Sequence, residues 1–133
     1  MKATLCIVDM QDHFKACPPI ALRVASLAQK AVQRKMGIVV LEYVGCGETN
    51  FQVREVLKGY DRVVYVMKCR NDGSAEFLDA CVNNGFNVAK VFVCGVFTDQ
   101  CVSATIGGIR QSSPKSKIAI VARATKASWD SNQ

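Results

Sequence analysis

A buried run that turns abruptly into a polar helix start constrains this chain more than any other feature. It reads Val91-Phe92-Val93-Cys94-Gly95-Val96-Phe97-Thr98-Asp99-Gln100-Cys101-Val102-Ser103-Ala104-Thr105. Val91 to Cys94 are apolar without alternation, the pattern of a strand covered on both faces, and Gly95 marks a close backbone turn. Thr98 suits an N-cap, its hydroxyl accepting from an amide of the first helical turn. That spacing predicts Cys101 near the third helical position, beside unpaired N–H groups at the positive end of the helix, where thiolate is favoured over thiol. A strand end that opens into a helix is also where open α/β sheets bind ligands. Of the seven cysteines only Cys101 has both the turn and the helix start; Cys6, Cys17, Cys69, Cys81 and Cys94 sit in or beside apolar or helical stretches, and Cys46 lies between two glycines.

The same alternation runs through the chain. Ala3 to Val8 predicts a buried first strand, ended by the polar exit loop Asp9 to Phe14. Pro18 and Pro19 suit a helix beginning, and Leu22, Ala25, Leu27, Ala28, Ala31 and Val32 continue it as an apolar stripe that Gly37 stops. Ile38 to Val44 reads as the second strand, Gly45-Cys46-Gly47 as its exit loop, and Phe51 to Leu57 as a short helix closed by Gly59. Val63 to Met67 makes the third strand, with Lys68 directly after it. The loop Cys69 to Gly73 then leads to a helix capped by Ser74, with Phe77, Leu78, Cys81 and Val82 as its apolar face and Gly85 as its end. Cys101 to about Ile109 is the helix after the fourth strand, and Lys117 to Ala122 supplies a fifth. Strands alternating with helices call for a parallel sheet with right-handed crossovers and helices on both faces, a three-layer α/β fold.

At 133 residues with half of them apolar, the sequence predicts one globular domain. Seven cysteines without paired Cys-x-x-Cys spacing fit a reducing cytoplasm better than a disulfide framework. The 17 basic and 11 acidic residues give +6, but the cations are scattered over helix faces and loops, so no nucleic-acid partner is expected. The apolar run near Met1 is too short for a signal peptide and no run has membrane-spanning length, so no membrane partner is expected either.

Parallel topology places Asp9, Gly45 to Gly47, Lys68 and Cys101 on one rim, because all follow strands at their carboxyl ends. An acid, an amine and a thiol on one rim suit acyl chemistry. A thiol attacking a carbonyl needs a base to take its proton and return it to the leaving group, and Asp9 serves if partial burial raises its pKa. A nearby ammonium steadies the acid. Backbone N–H groups of Phe97 and Cys101 are the candidates to hold the oxyanion of a tetrahedral intermediate.

These residues resemble the isochorismatase-like cysteine hydrolases, a family that includes nicotinamidases, N-carbamoylsarcosine amidohydrolase and ureidoacrylate hydrolases. Ile7-Val8-Asp9-Met10-Gln11-Asp12-His13-Phe14 looks like the family's opening motif, with Asp9 at the catalytic acid. Lys68 with Ser74-Ala75-Glu76-Phe77 looks like the family lysine and its downstream Ser-Ala-Phe. Cys94 to Val102 looks like "Cys-Gly-Val-x-Thr-x-x-Cys-Val", with the nucleophile at Cys101. The resemblance implies that residues 1–133 are a single compact domain of this kind, with strand order 3-2-1-4-5 and a cis peptide between Val96 and Phe97. It also implies a catalytic set Asp9, Lys68 and Cys101. Phe14, Phe77 and Phe97 are expected to line an apolar pocket that binds substrate, as core residues would also do, and Gln11 is expected to touch substrate.

The chain departs from the pattern at four places. Nicotinamidases bind a metal through an Asp and histidines after the second strand, whereas Glu42 to Thr49 contains no histidine. No metal and no cofactor are therefore expected. His13, the single histidine, replaces the second acid of the opening motif and is expected in the loop or pocket wall. Arg123-Ala124 stands where the family usually has Asp-Ala, before a further helix and strand expected of relatives. The loops between the second strand and Lys68 are short, which removes a lid. The expected function is a metal-independent cysteine hydrolase that cleaves a C–N bond of a small amide or carbamoyl compound. The alternative is a degenerate member that binds a small molecule or protein without turnover. Isochorismate-type vinyl-ether cleavage is a minor alternative, and a dinucleotide fold fails because Gly45-Cys46-Gly47 lacks the third glycine. An edge position for the fifth strand, together with the oligomers common among relatives, predicts a homodimer or higher homo-oligomer.

Overall fold

The structure, a computed structural model, describes residues 3–128, so the sequence-based suggestion that Trp129 packs locally lies outside the described residues. The elements run β1 (Thr4–Val8), α1 (Cys17–Gln33), β2 (Gly37–Tyr43), α2 (Phe51–Leu57), β3 (Val63–Lys68), α3 (Ser74–Asn84), β4 (Lys90–Val96), α4 (Ser103–Ser112) and β5 (Lys117–Lys126). All strand pairs are parallel, in the order β3-β2-β1-β4-β5. This is the expected order, in an all-parallel sheet as expected.

The unalternating strands are explained by burial on both faces. Leu5, Ile7, Ile38, Val40 and Cys94 point to one side, where Val24, Ala28 and Ala31 of α1 and Val53 and Leu57 of α2 cover them. Cys6, Val8, Val39, Leu41 and Val93 point to the other, against Phe77 and Cys81 of α3 and Ile106 and Ile109 of α4. Leu5 to Val8 of β1 are therefore all core, and the buried Thr4 hydroxyl donates to the Asn87 carbonyl at 2.6 Å.

Gly95 lies inside β4, not at a turn after it. Its φ is +113°, and a Cβ there would stand 2.0 Å from the Val8 carbonyl oxygen, so β1 and β4 approach at a distance only glycine permits. Gly37 does not end α1 but opens β2, where a side chain would strike the Phe86 ring; the reversal falls at Lys35, with φ +56°. Gly85 does end α3 in the left-handed conformation, as its position suggests. Ser74 is the first residue of α3 rather than its cap, and its N–H donates to Asp72 Oδ1 at 2.8 Å. Leu22 and Val82, assigned to apolar stripes by spacing, are exposed. β5 continues to Lys126, four residues beyond Ala122, after a register shift opposite Val93 and Gly95.

Thr98 is not an N-cap either. Between β4 and α4 the chain makes one wide turn, Thr98–Val102, in which the Val102 N–H reaches back five residues to the Phe97 carbonyl at 3.1 Å. The Thr98 hydroxyl instead shares a 2.7 Å hydrogen bond with that of Thr125 on β5. The Val96–Phe97 peptide is cis, as the resemblance implies. Among the described residues no helix is long and apolar enough to cross a membrane.

Candidate active site

Because the strands are parallel and in register, Val8, Tyr43, Lys68 and Val96 finish on one edge of the sheet, and the residues that follow them meet there. Asp9 leaves β1 with φ +52°, a conformation aspartate tolerates better than most residues. Its N–H donates to the Leu41 carbonyl at 3.0 Å and its own carbonyl accepts from the Gln11 N–H at 2.8 Å, so the turn is fixed at both ends. Asp9 is 1 % exposed and Lys68 2 %. Lys68 Nζ stands 3.0 Å from Asp9 Oδ2, donates to the Arg70 carbonyl at 2.9 Å, and lies 4.3 Å from the centre of the Tyr43 ring. Neither carboxylate oxygen accepts a hydrogen bond of regular geometry.

Cys101 sits in the wide turn, 5 % exposed, with Sγ 3.6 Å from Asn71 Oδ1. The expectation of a thiolate at a helix start is not met. Burial pushes the Cys101 thiol up to about 12, the hydrogen bond and charge of Asp9 add to this, and Lys68 opposes it. Burial also raises the Asp9 carboxyl above its ordinary range, while the Cys101 thiol and the Lys68 ammonium pull it back. With one cation among two acidic groups that both resist ionisation, the site accommodates one negative charge. Sulfur and carboxylate thus compete for one proton, and a transfer between them leaves the net charge unchanged.

The sequence places Asp9, Lys68 and Cys101 together, and the structure does so too. Four substrate contacts were expected, and two are displaced. Gln11 is wholly buried; its Nε2 donates to the carbonyls of Tyr43 and Gly47 at 2.9 and 2.7 Å, and its Oε1 accepts from the Tyr43 N–H at 2.8 Å. With both Nε2 hydrogens and Oε1 engaged by backbone groups of Tyr43 and Gly47, Gln11 positions Tyr43. Phe77 is fully buried in the core layer that also contains Cys101 and Val102, so it packs beneath the Cys101 turn. Phe14 and Phe97 are half-buried and meet edge to face at 5.8 Å, with Tyr43 beyond Phe14 at 6.5 Å. They form an aromatic wall at the rim. His13 is exposed and touches the edge of Phe14.

Two rim residues were missed. Asn71 faces the thiol and Tyr43 faces the ammonium; the signal available was only their position, three residues past Lys68 and at the end of β2. The residues do not fit a nicotinamidase-type metal. Glu42 Oε2 accepts from the N–H and hydroxyl of Thr49 at 2.7 and 2.6 Å, Glu48 is 3.5 Å from Arg54, and among the described residues no group of three potential ligands gathers. A groove of about 700 Å³ between α2 and β3, lined by Phe51, Arg54, Tyr60 and Tyr65, contains none of Asp9, Lys68 and Cys101.

No protein-family model and no curated protein matches the sequence. Solved structures do match its fold. A nicotinamidase/pyrazinamidase from Bacillus subtilis superposes with TM-score 0.81 at 18 % identity, over 96 % of this chain and 87 % of that one. N-carbamoylsarcosine amidase from Thermoplasma acidophilum gives 0.71 at 17 % identity over 96 % and 85 %. An octameric hydrolase of unknown specificity from Escherichia coli gives 0.74 at 14 % identity over 95 % and 64 %. The chain therefore has the fold of the isochorismatase-like hydrolases over nearly its whole length, at low identity.

Removing the ammonium tests this electrostatic arrangement. Lys68→Met leaves Asp9 buried without its counter-charge and is expected to cost about 3–5 kcal/mol near neutral pH. Loss of Lys68 raises Asp9 further, so the added cost is absent where Asp9 is protonated in both states and grows as pH rises through its raised folded value. Asp9→Asn in the Lys68→Met background should recover part of the loss. Urea unfolding at several pH values checks this; a loss independent of pH, with no recovery by Asp9→Asn, would contradict it.

Proposed function

We propose that this protein is a cysteine hydrolase that cleaves a C–N bond of a small amide or carbamoyl compound through a covalent Cys101 acyl intermediate, without a metal. The observation that carries the reading is the buried Asp9–Lys68 pair at 3.0 Å sharing its site with the Cys101 thiol. The Cys101 proton passes to the Asp9 carboxylate as Sγ forms its bond to the carbonyl carbon. Phe97 and Cys101 N–H groups hold the resulting oxyanion. Collapse breaks the C–N bond, and Asp9 returns the proton to the departing amine. Water then attacks the thioester, giving its proton to Asp9, and the thiol recovers it as the acid leaves. The Lys68 side chain balances whichever of Asp9 and Cys101 is charged.

The wall of Phe14, Phe97 and Tyr43 suits a small planar substrate, and the amidases that share the fold support the amide class. A second reading, a binding protein without turnover, is favoured by the protonated resting thiol. The two are separated by ammonia release from a panel containing nicotinamide, pyrazinamide and N-carbamoylsarcosine. Release is expected from at least one, with Cys101→Ala reducing it at least about a thousandfold while circular dichroism is unchanged. Full activity in Cys101→Ala, or no release from any amide, would contradict the hydrolase.

The reading includes a homodimer, with the cytoplasm as its compartment. β5 forms one edge of the sheet, and Ile120 on it is 44 % exposed. Such an edge invites pairing with a second chain, and an octameric hydrolase shares the fold. Sedimentation at micromolar concentration should give a species of at least twice the 14.5 kDa chain mass, and a lone 14.5 kDa species would contradict it.

A further inference from the structure

The loop between β3 and α3 is pinned at closely spaced points, and one of its side chains reaches the nucleophile. The Arg70 carbonyl accepts from Lys68 Nζ at 2.9 Å. The buried Thr105 hydroxyl, on α4, accepts from the Gly73 N–H at 3.0 Å and lies 3.4 Å from the Asn71 carbonyl. Gly73 itself has no room for a side chain, since a Cβ would lie 2.7 Å from Lys68 Cδ and 2.8 Å from a methyl of Leu41. Asn71 is exposed, yet it stands on backbone held from both the lysine and the helix that follows the cysteine. Its Oδ1 accepts from the Cys101 thiol at 3.6 Å, and its Nδ2 has no partner among the described residues.

We propose that Asn71 is the second hydrogen-bonding partner of the nucleophile, accepting from the thiol through Oδ1 and, with its amide turned over, donating to the thiolate through Nδ2. A carboxamide serves both states because it carries an acceptor and a donor at one place. When the Cys101 proton moves to Asp9, sulfur loses its donor hydrogen and gains a charge, so Oδ1 becomes the wrong partner and Nδ2 the right one. No electron changes hands and the proton is accounted for by Asp9. The charged and titrating groups facing Cys101 are Asp9, after β1, and Lys68, at the end of β3; Asn71 adds polarity there without adding charge. The inference deepens the hydrolase reading, but it concerns the thiol itself and is measurable without a substrate.

The test follows iodoacetamide labelling of Cys101 in the full-length chain by peptide mass spectrometry across a pH series. Asn71→Leu keeps the approximate volume and removes both hydrogen-bonding groups. It is expected to slow labelling of Cys101 about tenfold near neutral pH and to move the labelling profile up by about one pH unit. Asn71→Ala should do the same, and Asn71→Asp should slow labelling further by placing a second carboxylate against the thiolate. Thermal unfolding and the labelling of exposed Cys69 should be unchanged in all three, which separates a lost hydrogen bond from a disturbed fold. Profiles of Asn71→Leu and Asn71→Ala that superimpose on the wild type, or faster labelling in Asn71→Asp, would overturn the role. Absence of ammonia release from every amide would overturn the hydrolase and leave this comparison still readable.

Discussion

A lysine and an aspartate facing each other at 3.0 Å, both almost wholly removed from water, are the constraint around which this protein is arranged. Taking either ion out of water alone costs several kcal/mol, so each is tolerable only because the other is there. The surroundings add partners for the ammonium, whereas the carboxylate oxygens accept no hydrogen bond of regular geometry. Tyr43 offers its ring face to the ammonium and the Arg70 carbonyl accepts from it, while the left-handed turn at Asp9 lets the carboxylate follow directly from a buried strand. Gln11 fixes Tyr43 through the tyrosine's backbone N–H and carbonyl. A pair that is poor value for stability alone is well suited to chemistry, since its charge is already desolvated.

The third group gives the pair its function in this account. Burial opposes ionisation of both Asp9 and Cys101, and Lys68 supports one anion. A resting site with carboxylate and thiol and an attacking site with carboxylic acid and thiolate carry the same net charge. The proton can therefore cross without fresh desolvation of a net charge, and substrate need only tip the balance. This differs from a cysteine kept permanently as thiolate by a helix terminus, which the sequence led us to expect. The wide turn Thr98–Val102 explains the difference. Cys101 lies within an irregular turn packed into the core, where burial outweighs the helix-end field.

Features written in hydrophobic periodicity were legible. The positions of β1, β2 and β4 were legible because a central parallel strand has no polar phase, and the strand order followed from the resemblance of three motifs. Asp9, Lys68 and Cys101 were legible because topology alone gathers residues that follow strand ends. Tertiary contact decided what the sequence left open. Gly37 looked like a helix stop and proved to be an accommodation for Phe86, a residue distant in sequence. Gln11 was expected to touch substrate, but its partners are backbone groups of residues 43 and 47, and no local pattern reports them. Asn71 and Tyr43 were invisible for the same reason: their roles depend on what stands opposite.

The central claim, that this desolvated three-residue site makes Cys101 a covalent nucleophile, is tested most directly by acid-quenching the protein during incubation with each of several small amides and measuring its intact mass. The account gives a mass increase equal to one acyl group, located on the peptide containing Cys101, absent in Cys101→Ala and absent when Asp9 is replaced by Asn. An adduct that persists in Cys101→Ala, or ammonia release without any adduct on Cys101 under single-turnover conditions with slowed deacylation, would contradict it.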